Sequence, residues 1–245
     1  MPSSYARAFN VHQQLRAAIF DVDGVLLASP HERAWREALE GFADPSRFTP
    51  EIYEKQVSGK PRMAGAIAAL KALGVENPEY KAEAYAEKKQ ARLEELIREG
   101  QVSAFPDALR FVQSLSDAGW PMAAASSSKN ADGMMQAVKL PSGRSLLEIF
   151  SANVSGADLP HGKPDPAIFL LAAENLRIEP EACFVAEDSP AGIEAASRGG
   201  MAPLGLARLN DAPLLERAGA EVVVSSFDEV AVEDLVRGHL ARKAS

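Results

Sequence analysis

The chain has 245 residues, of which 47% are hydrophobic and 24% charged, and this ordinary globular composition excludes a disordered or collagen-like chain. Its formal net charge of −8 argues against broad binding to nucleic acids or membrane surfaces. No stretch approaches the roughly 20 apolar residues of a membrane span, and the N-terminus lacks the apolar core of a signal peptide. We therefore expect a cytoplasmic protein with no membrane or nucleic-acid partner.

Short apolar runs alternate along the chain with amphipathic stretches that have helical spacing. The apolar runs span 17–20, 120–125, 182–186, 201–206 and 221–224, with a weaker one at 154–155. The helical patterns span 107–118, 131–140, 165–175, 190–198 and 212–218. This alternation predicts an α/β fold with a doubly wound parallel sheet, in which ligands bind beyond the carboxyl ends of the strands.

One long interval breaks this alternation. Between 29 and 104 no convincing strand occurs, and the helical patterns there span 31–40, 61–73 and 78–98. We interpret the interval as a helical cap domain, 29–104, inserted after the first strand. The core domain is then discontinuous and consists of 1–28 and 105–245.

Polar side chains follow the apolar runs where the predicted strands end. Asp21 and Asp23 follow the first run, and Ser126 follows the second. Glu187 and Asp188 come directly after the run at 182–186. Two carboxylates directly after a buried strand are costly unless a cation or a chemical step requires them. Because parallel strands end at one edge of a sheet, we expect these side chains to converge.

Four segments resemble, in the correct order, the motifs of the haloacid dehalogenase superfamily. They are Phe20-Asp21-Val22-Asp23-Gly24-Val25-Leu26, Ala125-Ser126-Ser127-Ser128-Lys129-Asn130, Gly162-Lys163-Pro164-Asp165, and Glu187-Asp188-Ser189 with Ala191-Gly192. The resemblance extends over the core from residue 17 to 205. It implies a Rossmann-like core and a Mg²⁺-dependent phosphoryl-transfer enzyme acting on a small phosphorylated substrate.

The resemblance also implies a role for each motif residue. Asp21 would attack phosphorus and form an aspartyl-phosphate. Asp23 would protonate the leaving oxygen and then deprotonate the incoming nucleophile. Ser126 would hold a phosphoryl oxygen, and Lys163 would neutralise developing charge. The implied metal ligands are Asp21, Asp23 (partly through its main-chain carbonyl), Glu187 and Asp188.

Charge balance gives separate support for the cation. If the four carboxylates and a phosphate dianion converge, one lysine cannot balance them, and the carboxylates would be driven to protonate. An all-oxygen site that is shared with phosphate suits Mg²⁺.

Within the inserted interval the resemblance narrows to the β-phosphoglucomutase-like branch. His31-Glu32-Arg33-Ala34-Trp35 resembles the hinge helix of that group. Arg62 stands at a helix start, where its guanidinium and free N–H groups would grip a second anion, and Lys89 lies at the family spacing from Arg62. The implied substrate ligands are His31, Arg62, Lys89, Ser127, Lys129 and Asn130.

Ordinary structural roles compete with several of these assignments. A lysine on a charged helix, such as Lys89, is merely solvated about as often as it binds a ligand. Trp35 suits a core position. Ser127 and Ser128 suit a turn at a strand end, and Asp165 suits a helix N-terminus.

The favoured function is hydrolysis of small sugar phosphates, with water as the second nucleophile. The alternative is β-phosphoglucomutase, in which the phosphoryl group returns to the sugar. The inserted residues favour the mutase. Departures from that branch favour hydrolysis, namely Lys60-Pro61 before the arginine, Gly65 in place of a serine, and an insertion-like stretch at 141–147. Haloacid dehalogenation is disfavoured because such enzymes normally lack the second aspartate, Asp23.

Overall fold

The structure is a computed structural model that describes residues 14–57, 60–209 and 211–244, except for the side chain of Glu54. The strands are β1 (Ala17–Phe20), β2 (Leu27–Ala28), β3 (Ser103–Ala104), β4 (Met122–Ala124), β5 (Ala152–Asn153), β6 (Cys183–Glu187), β7 (Ala202–Leu206) and β8 (Val222–Val224). The α-helices are α1 (His31–Glu37), α2 (Pro50–Ile52), α3 (Arg62–Ala72), α4 (Pro78–Arg98), α5 (Pro106–Asp117), α6 (Ala131–Ala137), α7 (Ala167–Leu176), α8 (Pro190–Arg198), α9 (Ala212–Ala218) and α10 (Val232–Val236).

The described chain forms two compact units. We call the described residues within 1–25, 106–129 and 149–245 the core unit, and the described residues within 26–105 and 130–148 the inserted unit. Among the residues that the structure describes, every helix is too short or too polar to cross a lipid bilayer.

A parallel sheet of six strands organises the core unit. Its strand order is β5-β4-β1-β6-β7-β8, and all described pairings within it are parallel. β1 lies near the centre, and its four apolar residues are fully buried, as is typical of a parallel strand covered on both faces. The predicted α/β fold with a doubly wound parallel sheet is confirmed.

Helices cover both faces of this sheet. On one face, Ile19 and Val185 belong to the same buried cluster as Phe169 of α7. On the other face, the ring of Phe20 lies 6.1 Å from that of Phe111 in α5. The helices therefore bury both faces of the sheet. The polar residues predicted from the motifs lie at the ends of the strands.

Two expectations about short strands were wrong. The weak strand expected at 154–155 lies two residues earlier, as β5, because only Ala152 and Asn153 pair with β4. The interval from 29 to 104 was expected to contain no strand, but β3 pairs antiparallel with β2. Strands of two residues are too short to show a period in the sequence.

The inserted unit is helical and has its own core. Its principal cluster brings together α1, α3 and α4 around Trp35, Leu70 and Tyr85. The rings of Trp35 and Tyr85 lie 5.3 Å apart, and the Tyr85 hydroxyl donates to the Trp35 carbonyl at 2.8 Å. Trp35 thus has the core position that was the simpler interpretation of this residue.

The boundaries of the two units differ from those predicted. The units divide at 25/26 and 105/106 in place of 28/29 and 104/105, and residues 130–148 group with the inserted unit. The reason is that α6 packs on α4, where Gln90 Nε2 donates to Asn130 Oδ1 at 2.9 Å.

Candidate active site

The ends of the three central strands are held side by side by backbone hydrogen bonds. The Asp21 N–H donates to the Ala186 carbonyl at 3.0 Å, and the Ala125 N–H donates to the Phe20 carbonyl at 2.8 Å. The residues that follow β1, β4 and β6 therefore emerge at one edge of the sheet. The parallel register brings together side chains that are far apart in the chain.

Lys163 bridges two carboxylates at this edge. Its Nζ lies 2.6 Å from Asp21 Oδ1 and 2.6 Å from Glu187 Oε1. It also lies 4.9 Å from the centre of the Phe169 ring, which α7 places beneath it. Three of the residues predicted from the motifs thus form one buried ionic cluster.

Glu187 pairs with Lys163 through one carboxylate oxygen and accepts hydrogen bonds from Ser189 through the other. Its Oε2 accepts from the Ser189 N–H at 2.8 Å and from the Ser189 hydroxyl at 2.9 Å. A Cβ at Gly192 would lie 1.9 Å from Glu187 Oε1, so only glycine leaves room for this carboxylate. These contacts give Glu187 the geometry of a positioning group for Lys163. Its predicted role as a metal ligand stays a prediction.

Asp188 lies against the loop that follows β1. Gly24 has a positive φ of +80°, and a Cβ there would lie 1.8 Å from Asp188 Oδ2. Glycine at this position therefore satisfies both the backbone conformation and the close approach of the carboxylate. The loop bearing Asp21 and Asp23 and the carboxylate of Asp188 occupy one compact region.

Burial and negative charge perturb the acids of this region. Burial raises the pKa of Asp21 to about 7, with Lys163 opposing the rise and Glu187 adding to it. Burial, followed by the charges of Glu187 and Asp21, raises the pKa of Asp188 well above its ordinary value. Although burial acts to lower the pKa of Lys163, Asp21 and Glu187 outweigh it and keep the amine charged. Negative charge exceeds positive charge here, so a cation would favour the ionised carboxylates.

The residues present fit a hard divalent cation. Their donor atoms are carboxylate oxygens, and Gly24 leaves a space in which Asp188 approaches the loop after β1. Oxygen donors are those that Mg²⁺ prefers. No three of the described carboxylate, imidazole or thiol groups form a preassembled metal cluster. Both Glu187 oxygens are engaged, one by Lys163 and the other by Ser189.

The loop after β4 carries the predicted phosphoryl-binding serine. Ser126 is buried, its hydroxyl accepts the Ser128 N–H at 3.1 Å, and its carbonyl accepts the Gly156 N–H at 2.8 Å. Ser127 and Lys129 are exposed in this loop. The Ser126–Ser128 hydrogen bond places Ser128 in a turn at the strand end, as its simpler interpretation predicted. The predicted phosphoryl-binding role of Ser126 stays a prediction.

The side chains of Asn130 and Asp165 make structural contacts. Asn130, a predicted substrate ligand, is hydrogen-bonded to Gln90 within the inserted unit. Asp165 Oδ1 accepts the Ala167 N–H at 2.9 Å, at the start of α7. The interpretation of Asp165 as a helix N-terminal residue is confirmed.

The predicted substrate ligands of the inserted unit differ in their exposure to solvent. Arg62 is the first residue of α3 and is exposed. Lys89 is only 4% exposed, and its Nζ lies 2.9 Å from His31 Nδ1 and 5.1 Å from the centre of the Trp35 ring. The interpretation of Lys89 as a solvated lysine is therefore wrong, because α4 turns it toward the unit's own core.

One departure from the β-phosphoglucomutase pattern is glycine in place of a serine at position 65, where the structure shows little room for a side chain. A Cβ at this position would meet the Trp35 ring at 3.3 Å and the Val57 side chain at 3.4 Å. A side chain at this position would therefore require the indole to shift by a few tenths of an ångström.

Arg208 is a residue of this region that the motifs did not indicate. Its guanidinium donates to the carbonyls of Gly24 and Val25, both at 3.0 Å, and pairs with Asp107 at 3.1 Å. Arg208 is the second residue after β7, as Ser126 is the second after β4. The strand-end rule that singled out Asp21 and Ser126 would therefore also have indicated Arg208.

Comparison with known proteins places this geometry in a family. The profile of the haloacid dehalogenase-like hydrolases matches residues 15–200. A phosphorylated carbohydrates phosphatase of Thermotoga maritima is 32% identical over 216 residues, which cover 86% of this chain and 94% of that protein. A β-phosphoglucomutase of Mycobacterium bovis is 29% identical, over 94% of this chain and 96% of that protein. The crystal structure of an archaeal β-phosphoglucomutase from a hyperthermophilic Pyrococcus strain superposes with a TM-score of 0.73 and 34% identity, covering 90% and 96% of the two chains.

Proposed function

Because the chain belongs to the haloacid dehalogenase-like hydrolases, and is an enzyme of that family, we propose that it is a Mg²⁺-dependent phosphatase of small sugar phosphates. The observation that carries the proposal is the buried bridge from Lys163 to Asp21 and Glu187. It fixes a nucleophile beside a cation at the carboxyl edge of the sheet. A relative of similar length that is named as a phosphatase of phosphorylated carbohydrates supports the choice of substrate class.

The reaction proceeds in two displacements at phosphorus. The Asp21 carboxylate attacks, the bond to the sugar oxygen breaks, and Asp23 donates its proton to that leaving oxygen. Asp23 then removes a proton from water as the water attacks the aspartyl-phosphate. The acyl-phosphate bond breaks at phosphorus, inorganic phosphate leaves, and Asp21 returns to its free carboxylate.

The surrounding groups orient and balance charge during these steps. Lys163, held by Glu187, stays beside Asp21 and offsets the charge on the phosphoryl oxygens. The Ser126 hydroxyl donates to one of those oxygens. Asp21, Asp188 and the main-chain carbonyl of Asp23 would hold Mg²⁺, which when bound supplies positive charge to the phosphoryl group.

β-Phosphoglucomutase is the second candidate, and two findings favour it. The contact of Lys89 with His31 keeps a cation at a position that this branch uses for substrate. The similar proteins of Mycobacterium bovis and of the Pyrococcus strain carry the mutase name. The chemistry at Asp21 is the same in both reactions. Hydrolysis is preferred because Lys60-Pro61 before Arg62, and Gly65 in place of a serine, depart from the mutase pattern.

A phosphate-release screen over sugar phosphates tests the proposal, with Mg²⁺ or with excess chelator and with Asp21→Asn as the inactive control. We expect release that requires both Mg²⁺ and Asp21. Release that persists in chelator would contradict the metal assignment, and release by Asp21→Asn would contradict the mechanism. Phosphorus NMR of β-glucose 1-phosphate, with and without a bisphosphate primer, distinguishes the two candidates, because primer-dependent glucose 6-phosphate would indicate the mutase.

A further inference from the structure

Arg208 holds the backbone at the point where the loop after β1 leaves the core unit. Its Nε donates to the Gly24 carbonyl and its Nη2 to the Val25 carbonyl, each at 3.0 Å. Its side chain is 15% exposed, and Val25 is the last residue of the core unit before the chain enters the inserted unit. Two consecutive carbonyls are thus fixed by one side chain.

Asp107 fixes Arg208 in turn. Both Asp107 oxygens accept from Arg208 Nη1, at 3.3 and 3.1 Å. Asp107 Oδ2 also accepts from the Phe227 N–H at 2.8 Å and from the Ser226 hydroxyl at 3.0 Å. Burial acts to raise the pKa of Asp107, but the Phe227 N–H and Arg208 outweigh it and hold the pKa below its ordinary value. The carboxylate therefore stays charged and keeps the guanidinium in one orientation.

The position of this network in the chain gives it a functional meaning. Gly24 follows Asp23 directly, and its α-carbon faces the carboxylate of Asp188. Asp107 is the second residue of the core unit after the chain returns from the inserted unit. The same guanidinium therefore ties the outgoing and returning chain segments to the end of β7.

We propose that Arg208 is a positioning residue for the proposed phosphoryl transfer, and that it acts by holding the Gly24 and Val25 carbonyls. In this role Arg208 fixes the backbone that carries Asp23. It also fixes the space beside Gly24 into which the Asp188 carboxylate fits. The inference rests on the proposed function for its effect on rate, but the restraint on the loop is independent of any reaction. A lysine would keep the charge beside Asp107. With one ammonium it could not reproduce the planar fork that reaches two carbonyls and a carboxylate.

The test compares Arg208→Lys and Arg208→Gln with a matched control, Arg110→Gln. Arg110 in α5 pairs with Asp228 in the same turn that Asp107 contacts, but this pair is exposed and makes no described contact with the loop after β1. Melting temperatures come first, and all assays run well below the lowest of them. Steady-state kinetics with p-nitrophenyl phosphate and hydrogen exchange of the 22–27 peptide then follow on each full-length protein.

We expect both Arg208 variants to lose about 10²-fold in kcat with little change in KM, as for a small displacement of reacting groups. Exchange of the 22–27 peptide should be faster in both, while Arg110→Gln matches the wild type in both measurements. A folded Arg208→Lys with wild-type kcat overturns the inference, as does a loss of kcat without faster exchange or an equal loss in Arg110→Gln. Failure of both Arg208 variants to fold also overturns it and assigns Arg208 to stability. If the wild type hydrolyses no phosphate ester, the proposed function fails, and hydrogen exchange alone decides the restraint.

Discussion

Three charged residues that the motifs indicated in the core unit pair with one another, whereas the two cations indicated in the inserted unit differ in their exposure. In the core unit, Lys163 joins Asp21 and Glu187 in a buried cluster. In the inserted unit, Arg62 is exposed and Lys89 is buried against His31 and Trp35. Under the proposed function, the first arrangement would serve a chemical step shared by all substrates. The residues of the inserted unit would contribute to an extent that depends on the substrate.

The largest effect is expected from replacing Asp21, the proposed nucleophile. Asp21→Asn should lower kcat by about 10⁴-fold or more on every substrate, because an amide cannot form an acyl-phosphate and the groups of such a cluster act as a unit. The amide replaces a buried carboxylate of nearly the same shape, so the variant should fold. Turnover and circular dichroism measure the two effects. A folded variant with near wild-type turnover would sink the assignment.

A smaller effect is expected at the second aspartate. Asp23→Ala should slow formation and breakdown of the aspartyl-phosphate by about 10² to 10⁴, as for general acid–base catalysis. The loss in the formation step should shrink for p-nitrophenyl phosphate, whose leaving group needs little protonation. Single-turnover kinetics with good and poor leaving groups measure this. Equal losses for both would show that Asp23 does not act as a proton donor.

The inserted unit should respond in a substrate-dependent way. Arg62→Ala should lower kcat/KM for sugar phosphates by about 10- to 100-fold, the cost of a charge-assisted hydrogen bond, and should leave p-nitrophenyl phosphate unaffected. Arg62→Lys should restore little of the loss because lysine lacks the bidentate fork. Lys60→Ala, which removes a neighbouring exposed cation, is the matched control. Equal activity of Arg62→Ala and Lys60→Ala on every substrate would make Arg62 an ordinary surface residue.

A fourth prediction concerns the contribution of Asp107, the partner of Arg208, to the stability of the core unit. Asp107→Asn should lower the free energy of unfolding by about 1.5 to 3 kcal/mol near neutral pH, the range for hydrogen bonds to charged groups. The native pKa of Asp107 lies below its ordinary value of 3.8, so its contribution is complete above that pH. The contribution is lost as pH falls through the native pKa, because the unfolded state then binds the proton more readily.

Urea unfolding of wild type and Asp107→Asn at several pH values measures this difference. The gap between the two proteins should narrow below pH 3.8. Asp228→Asn is the control, since Asp228 lies in an exposed ion pair with Arg110, where such pairs contribute little. A gap that stays constant with pH would show that the stabilisation does not depend on the charge of Asp107.

Much of the core unit was predictable because its signals are local. β1 and β6 are apolar runs that end in carboxylates, and the parallel register that joins them follows from alternation with helices. β2 and β3 were not predictable, since two residues carry no period. The burial of Lys89 was hidden because its helix is rich in charge. The contacts of Arg208 lie 183 and 184 residues away and end on backbone carbonyls, which no motif records.

The central claim is that Asp21 carries the phosphoryl group during turnover. Wild-type protein mixed with a phosphorylated substrate and Mg²⁺, quenched in acid within the first turnover and digested, locates that group by mass spectrometry. We expect one added phosphoryl group on the peptide containing Asp21, labile to base and to hydroxylamine as an acyl-phosphate is, and absent from Asp21→Asn. A phosphoryl group on Ser126 or another residue, or active protein that never acquires one under rapid quench, would contradict the account.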